Sequence, residues 1–287
     1  PACLERLNGM WAFALLDAPR GRVVLSRDRF GIKPLYLIVR NGMLYFASEI
    51  KALLAVPDIP REPNERTVAR FLLTSLADDT EETFFAGIRA LPPAHLLTIP
   101  LDQPDATGGP EPYWRFPAER FAGTEDEAVQ RFRDLFLDAV RIHMRSDVPV
   151  GTCLSGGLDS SSIVCVADLL RRDGGIPHYM HHAFGYRSPD AASNEGPHMD
   201  RILSATSAKM HYVEFDAPAF REVLPRILSA QDEPFGSASI GAQWFVFQRA
   251  KAEGMKVMLD GQGADETLAG YHFYFATLGI GRVAAGD

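Results

Sequence analysis

The sequence predicts an α/β protein in two parts. The first is β-rich; in the second, strands and helices alternate around a mostly parallel sheet. Three observations carry this. Short apolar runs divided by turn signals fill the first hundred residues. Residues 100–117 are rich in Pro, Gly and Asp and show no periodicity, as a linker would. Beyond them, apolar runs at helical spacing take turns with short apolar strands, which is the pattern of a parallel sheet with helices on both faces. A length of 287 residues suits about two domains.

The elements follow in order. Residues 10–16 form an apolar strand that stops at Asp17-Ala18-Pro19. Strands at 22–26, 35–39 and 44–47 come next, with Asn41-Gly42 between the last two. That pair predicts a type I′ hairpin, whose central residues both need positive φ. A short helix starts after Ser48, and Pro57, Pro60 and Pro63 end it. Residues 67–76 read as helix and 95–99 as strand. After the linker, Thr124-Glu125-Asp126-Glu127 is a capping box. Phe132, Leu135, Phe136, Ala139, Val140 and Met144 follow at helical spacing. The remaining pattern is strand 148–154, helix 160–171, strand 179–184, helix 195–208, strand 210–215, helix 242–253 and strand 256–259. The domains are expected at 1–117, including the linker, and 118–287.

Composition excludes several classes. Hydrophobic residues at 46% and charged residues at 23% are ordinary globular values. A net charge of −8 makes the chain a poor general binder of nucleic acid. No apolar run reaches the roughly 20 residues that span a bilayer. Three cysteines form no disulfide framework, so a reducing, cytoplasmic setting is expected. The opening Pro1-Ala2-Cys3 is neither a signal peptide nor an initiation site.

The strongest chemical signal is Leu154-Ser155-Gly156-Gly157-Leu158-Asp159-Ser160-Ser161, between a strand and a helix. Two glycines let the backbone turn so that successive N–H groups face one concavity. The serines add hydroxyls, and the helix adds free N–H groups and its positive dipole end. This is a cradle for phosphate or pyrophosphate. No Gly-Lys-Ser/Thr follows, so it is not a Walker A loop. Cys153 stands where a G-x-S-x-G elbow needs its first glycine. Asp159 would repel phosphates unless a cation lay between, which implies Mg²⁺. The second signal, Asp260-Gly261-Gln262-Gly263-Ala264-Asp265-Glu266, also follows a strand. Open parallel sheets present ligands at the carboxyl ends of their strands, so Asp159 and Asp265 are placed to hold one Mg²⁺ from two sides.

These residues resemble the glutamine-hydrolysing asparagine synthetase family. Residues 155–161 match its pyrophosphate loop, 260–271 its second nucleotide loop, and Asp232-Glu233-Pro234 the acidic-proline element between them. Residues 7–17, 27–36, 46–54 and 87–95 match its amidotransferase domain. The resemblance implies part of an Ntn-type amidotransferase domain followed by a pyrophosphate-loop ATPase domain. It also implies an internal fragment. The family's N-terminal cysteine nucleophile and glutamine-binding residues would precede Pro1, Cys3 is not that nucleophile, and a helical region would follow Asp287.

The implied reaction joins aspartate to glutamine-derived ammonia at the expense of ATP, through β-aspartyl-AMP and pyrophosphate. Ser155, Gly156, Gly157, Ser160 and Ser161 would cradle the pyrophosphate, and Asp159 and Asp265 would place Mg²⁺. Cys153, Phe184, Asp260 and Gly261 match positions around the adenosine. Small-molecule substrates are implied, with no nucleic acid and no membrane, and a homodimer is compatible.

Two positions depart from the family. Gln262 replaces a glutamate implicated in forming the adenylate, and Cys153 replaces a leucine of the adenine site. Gln262 leaves two rivals open: an ATP-dependent cyclase of the β-lactam synthetase or lasso-peptide type, and a non-catalytic ATP-binding module. Intact Asp159 and Asp265 oppose the second.

Other residues read as structural. No cluster of carboxylates or thiols at matching spacing accompanies His178, His181 and His182, so they are expected to be structural or surface histidines. Cys165, Phe84, Phe85, Phe132 and Phe136 are expected in the core, and Arg171-Arg172-Asp173 at a solvated helix end.

Overall fold

The structure is a computed structural model that describes residues 2–103, 108–176, 181–190 and 194–285. It groups into two compact units. One is Pro1–Arg120 with Pro225–Ser237, and the other is Phe121–Leu224 with Ala238–Asp287.

The first unit holds two antiparallel sheets. Strands β1 (Ala12–Asp17), β2 (Arg22–Arg27), β6 (His95–Pro100) and β7 (Glu111–Pro112) form one, in that order. Strands β4 (Met43–Ala47), β3 (Tyr36–Arg40) and β5 (Arg89–Ala90) form the other. The β3–β4 turn has φ 52° at Asn41 and 72° at Gly42, as a type I′ hairpin requires. Leu25, Leu91, Leu97 and Ile99 pack one core cluster, and Ile38, Ile50, Leu53 and Ile88 another. The short helix α1 (Ile50–Leu53) supplies two of these residues. Helix α2 (Glu65–Thr74) is capped by Asn64, whose side chain accepts the Thr67 N–H.

The stretch expected as linker is anchored within this unit. Strand β7 pairs with β6, and the Tyr113 hydroxyl donates to Arg27 O at 2.8 Å. A two-residue strand carries no alternation to read, which is why it escaped the pattern.

The second unit is built on a four-stranded parallel sheet ordered β10 (Lys209–Val213), β9 (His182–Tyr186), β8 (Val150–Cys153), β11 (Val257–Leu259). Residues 179 and 180 of the expected strand lie outside the described residues. Helices α3 (Glu125–His143), α4 (Leu158–Arg172) and α5 (Gly196–Ala205) belong to one face, where Val140, Val150, Val164, Ala183 and Met199 are buried. Helix α7 (Ser239–Ala252) covers the other, packing Val246 and Ala250 on Phe184. The chain passes from β8 outward to β9 and β10, then returns to β11 on the far side of β8. The carboxyl ends of β8 and β11 therefore flank the point where strand order reverses, which is where open α/β sheets bind ligands.

Besides the two-residue strands β5 and β7, three α-helices were not anticipated: α6 (Ala217–Gln231), α8 (Ala264–Leu268) and α9 (His272–Ala285). Phe84 is buried as expected, but Phe132 is half exposed on α3, together with Leu135. Cys165 is only partly buried. The helix end is exposed at Arg172 and Asp173 as expected, and its arginines also form an ion-pair cluster. Arg171 and Arg172 reach Asp168 at 3.2 and 2.5 Å, and Asp168 is buried. The arginines stand three and four residues after it, the spacing that places side chains on one helix face. No described helix is long and apolar enough to cross a membrane.

Candidate active site

The loop after β8 takes its shape from its glycines. Gly156 has φ +92°, and a Cβ there would lie 3.0 Å from His198 Cβ and 3.1 Å from Glu195 O. Gly157 is the N-cap of α4 without a side-chain cap, so helix N–H groups remain free for a ligand. The serines brace the turn. Ser155 N–H donates to Ser160 Oγ at 3.1 Å, the two hydroxyls are 2.9 Å apart, and Gly157 N–H donates to Ser155 Oγ at 3.3 Å. Asp159 falls in the first turn of α4, where the helix dipole favours an anion.

The loop after β11 lies against this one because β11 pairs directly with β8, Leu259 opposite Thr152. A Cβ on Gly261 would stand 3.0 Å from both Ser160 N and Asp159 Cβ. A side chain there would force the facing loop to give by a few tenths of an ångström. Gly263, at φ +98°, turns the chain into α8 and so carries Asp265 into the same region. Two segments a hundred residues apart in sequence thus form one wall.

Two adjoining cavities open on that wall. The larger, about 620 Å³, is lined by Cys153, Ser155, Ser160, Phe184, Asp260 and Gln262. Its remaining walls include Tyr186, Glu195 and, from α7, Ser239 and Gln243, none of which the motifs indicated. The smaller, about 150 Å³, gathers Gly157, Asp159, Gly261, Gln262, Asp265 and Glu266. Ser155, Ser160, Asp260 and Gln262 line both. Gly156 and Ser161 line neither; the Ser161 hydroxyl is buried without a hydrogen-bond partner.

Cys153 is inert in this setting. Burial and the neighbouring Asp260 carboxylate push its thiol well above the usual range, so it stays a neutral packing group. Glu266 accepts the Tyr271 hydroxyl at 2.8 Å, fixing the rim of the smaller cavity.

The acidic-proline element lies in the first unit. Asp232 pairs with Lys51 Nζ at 3.0 Å and accepts the Lys51 N–H at 3.2 Å. Glu233 accepts the Phe84 N–H at 2.7 Å, and its carboxyl is raised by burial and by nearby Asp78 and Asp232.

The histidines divide. His178 lies outside the described residues. His181 is buried and structural, with Nε2 2.9 Å from Thr152 Oγ1 and a pKa lowered to about 4, chiefly by burial. His182 is half-buried, and it converges with His211 and Glu253 through the tertiary fold, not through sequence spacing.

A family profile described as asparagine synthase matches residues 131–285, and one described as a glutamine amidotransferase domain matches residues 1–114. The chain is 30% identical over 281 residues to glutamine-hydrolyzing asparagine synthetase 3 of Bacillus subtilis (strain 168), covering 95% of this chain and 45% of the relative. It is 31% identical over 291 residues to amidase chyE of Penicillium rubens, covering 96% and 42%. Glutamine-hydrolyzing asparagine synthetase 1 of Bacillus subtilis matches at 31% over 279 residues, covering 96% and 42%. The chain thus spans less than half the length of these relatives. With the profile matching more than half of its residues, the chain belongs to the asparagine synthase family.

Proposed function

We propose that the whole protein forms an amide from a carboxylate at the expense of ATP, with aspartate as the carboxylate and glutamine-derived ammonia as the amine. One observation carries this reading: the approach of Gly261 to Ser160, which joins the two loops into a single nucleotide-sized wall. A carboxylate is a poor electrophile, so amide formation needs activation. The substrate carboxylate attacks the α-phosphorus of ATP, pyrophosphate leaves, and the amine then displaces AMP from the acyl-adenylate. The N–H groups at the start of α4, with Ser155 and Ser160, receive charge developing on the leaving pyrophosphate. Phe184 and Cys153 supply apolar surface for the base.

The smaller cavity fits Mg²⁺. Its ionisable side chains are the carboxylates of Asp159, Asp260, Asp265 and Glu266 and the Tyr271 phenol, all hard oxygens, with no imidazole or thiol among them. Asp159 and Asp265 would hold the ion, which when bound neutralises phosphate charge. The cytoplasm suits three free cysteines.

Gln262 and the similarity to a protein named an amidase favour a second reading, in which the carboxylate is not aspartate. An amide positions a substrate or water by hydrogen bonds but has no useful pKa for proton transfer. The test is AMP release with aspartate and ammonia, for wild type and Gln262→Glu side by side. The aspartate reading predicts aspartate-dependent AMP from both, preserved or raised in the variant. No such AMP from either, with both folded and binding ATP, selects the second reading.

A further inference from the structure

We infer that the second unit carries a site for a divalent transition metal of the zinc class, with His182 Nδ1 and His211 Nε2 as its protein ligands and Glu253 as the positioning residue for His211. The parallel register sets Phe184 opposite His211, so His182, Phe184 and His211 share the sheet face that α7 covers. Glu253, the C-cap of α7, closes over it. One ligand-capable atom from each of His182, His211 and Glu253 lies within 4.8 Å of the other two.

The geometry is close to that of a metal pair. His182 Nδ1 and His211 Nε2 stand 3.0 Å apart, and the rings are inclined by 16° with centroids 4.9 Å apart. They therefore meet edge to edge, with one proton shared between the nitrogens. Two nitrogens bound tetrahedrally to Zn²⁺ at 2.0–2.1 Å are about 3.3 Å apart. Exchanging the proton for the ion would spread the nitrogens by a few tenths of an ångström and turn each ring by roughly 35°, so that the lone pairs converge on the metal. His182 then carries its proton on Nε2 and remains neutral.

Glu253 Oε1 lies 3.4 Å from His211 Nδ1; with the ion bound, a proton on Nδ1 would face this carboxylate and leave the Nε2 lone pair for the metal. A carboxylate behind a ligating imidazole is the usual outer support of such ions. Arg249 lies 2.7 Å from Glu253 and 3.4 Å from His211 Nδ1, so its charge is paired and sits on the ring edge away from Nε2. Imidazole nitrogens suit Zn²⁺, Ni²⁺ or Cu²⁺ rather than Mg²⁺. His182 and Glu253 are only partly buried, so water reaches the remaining positions. The site is separate from the carboxylate cavity: His182 opens β9, whereas the nucleotide loops leave the opposite ends of their strands.

The test is a Zn²⁺ titration of the chain against a chromogenic chelator, with Mg²⁺ in excess, for wild type, His182→Gln and Glu253→Gln. His182 is the variant of choice because its ring is partly exposed and its loss leaves buried His211 in place; circular dichroism checks the fold. Wild type should take one Zn²⁺ per chain, His182→Gln should bind at least tenfold more weakly, and Glu253→Gln about tenfold more weakly. Co²⁺ should give visible ligand-field bands in wild type that His182→Gln loses. Equal affinity in wild type and His182→Gln, or no binding by wild type, overturns the site. Unchanged affinity in Glu253→Gln overturns the positioning role.

Discussion

At residue scale the site depends on what two glycines and one cysteine do not carry. Gly156 has a backbone angle that side chains disfavour, and Gly261 stands where a Cβ would meet Ser160 N at 3.0 Å. The Gly156 constraint is legible in a sequence because it is local to the backbone, whereas the Gly261 contact is with a segment a hundred residues away. Cys153 is of the second kind. Its neighbour Asp260 lies more than a hundred residues away, so nothing local announces that burial and a carboxylate together hold the thiol neutral. Thiolate is the reactive form, which gives a prediction. With iodoacetamide at about pH 8, exposed Cys3 should label first and Cys153 at least tenfold more slowly. Asp260→Asn removes one of the two influences raising the thiol and should speed Cys153 labelling. Mass spectrometry of the labelled peptides reads both rates; equal rates for Cys3 and Cys153 would contradict the assignment.

At the scale of elements, capping chemistry was readable and buried charge was not. Thr124 and Glu127 exchange hydrogen bonds at the start of α3 as their spacing foretold. By contrast, α6 contains Pro225, a residue that argues against a helix interior, yet the buried Val223 and Ile227 keep the segment helical. The Asp168 cluster is the other lesson. Burial alone would raise this carboxyl, but hydrogen bonds from Ser207, with Arg171 and Arg172, outweigh it and lower its pKa. A folded-state pKa below the unfolded value means that stabilisation is present above the unfolded value, about 3.9, and fades as pH falls through the folded one. Asp168→Asn removes the buried partner of two solvent-accessible arginines and should cost about 1–2 kcal/mol at neutral pH. Urea unfolding measures it, and the gap between wild type and variant should narrow as pH drops below about 4. A gap that stays constant with pH would assign the loss to packing instead.

At the scale of the whole molecule, strand and helix alternation foretold the parallel sheet, but periodicity holds no information on strand order. The sequence 10-9-8-11 is what brings the loops after β8 and β11 together, and it is set by packing of α4 and α7 on opposite faces. The same long-range pairing explains why His182, His211 and Glu253 were not legible as a group: their spacing in sequence follows no ligand pattern. The account's central claim is that the two loops form one adenylating site in which Asp159 faces the phosphates. Acceptor-dependent ATP–pyrophosphate exchange by the whole protein tests it most directly, with wild type and Asp159→Asn compared at equal fold content. The account predicts exchange by wild type and a loss of at least about 100-fold in the variant; near-normal exchange by Asp159→Asn would contradict it.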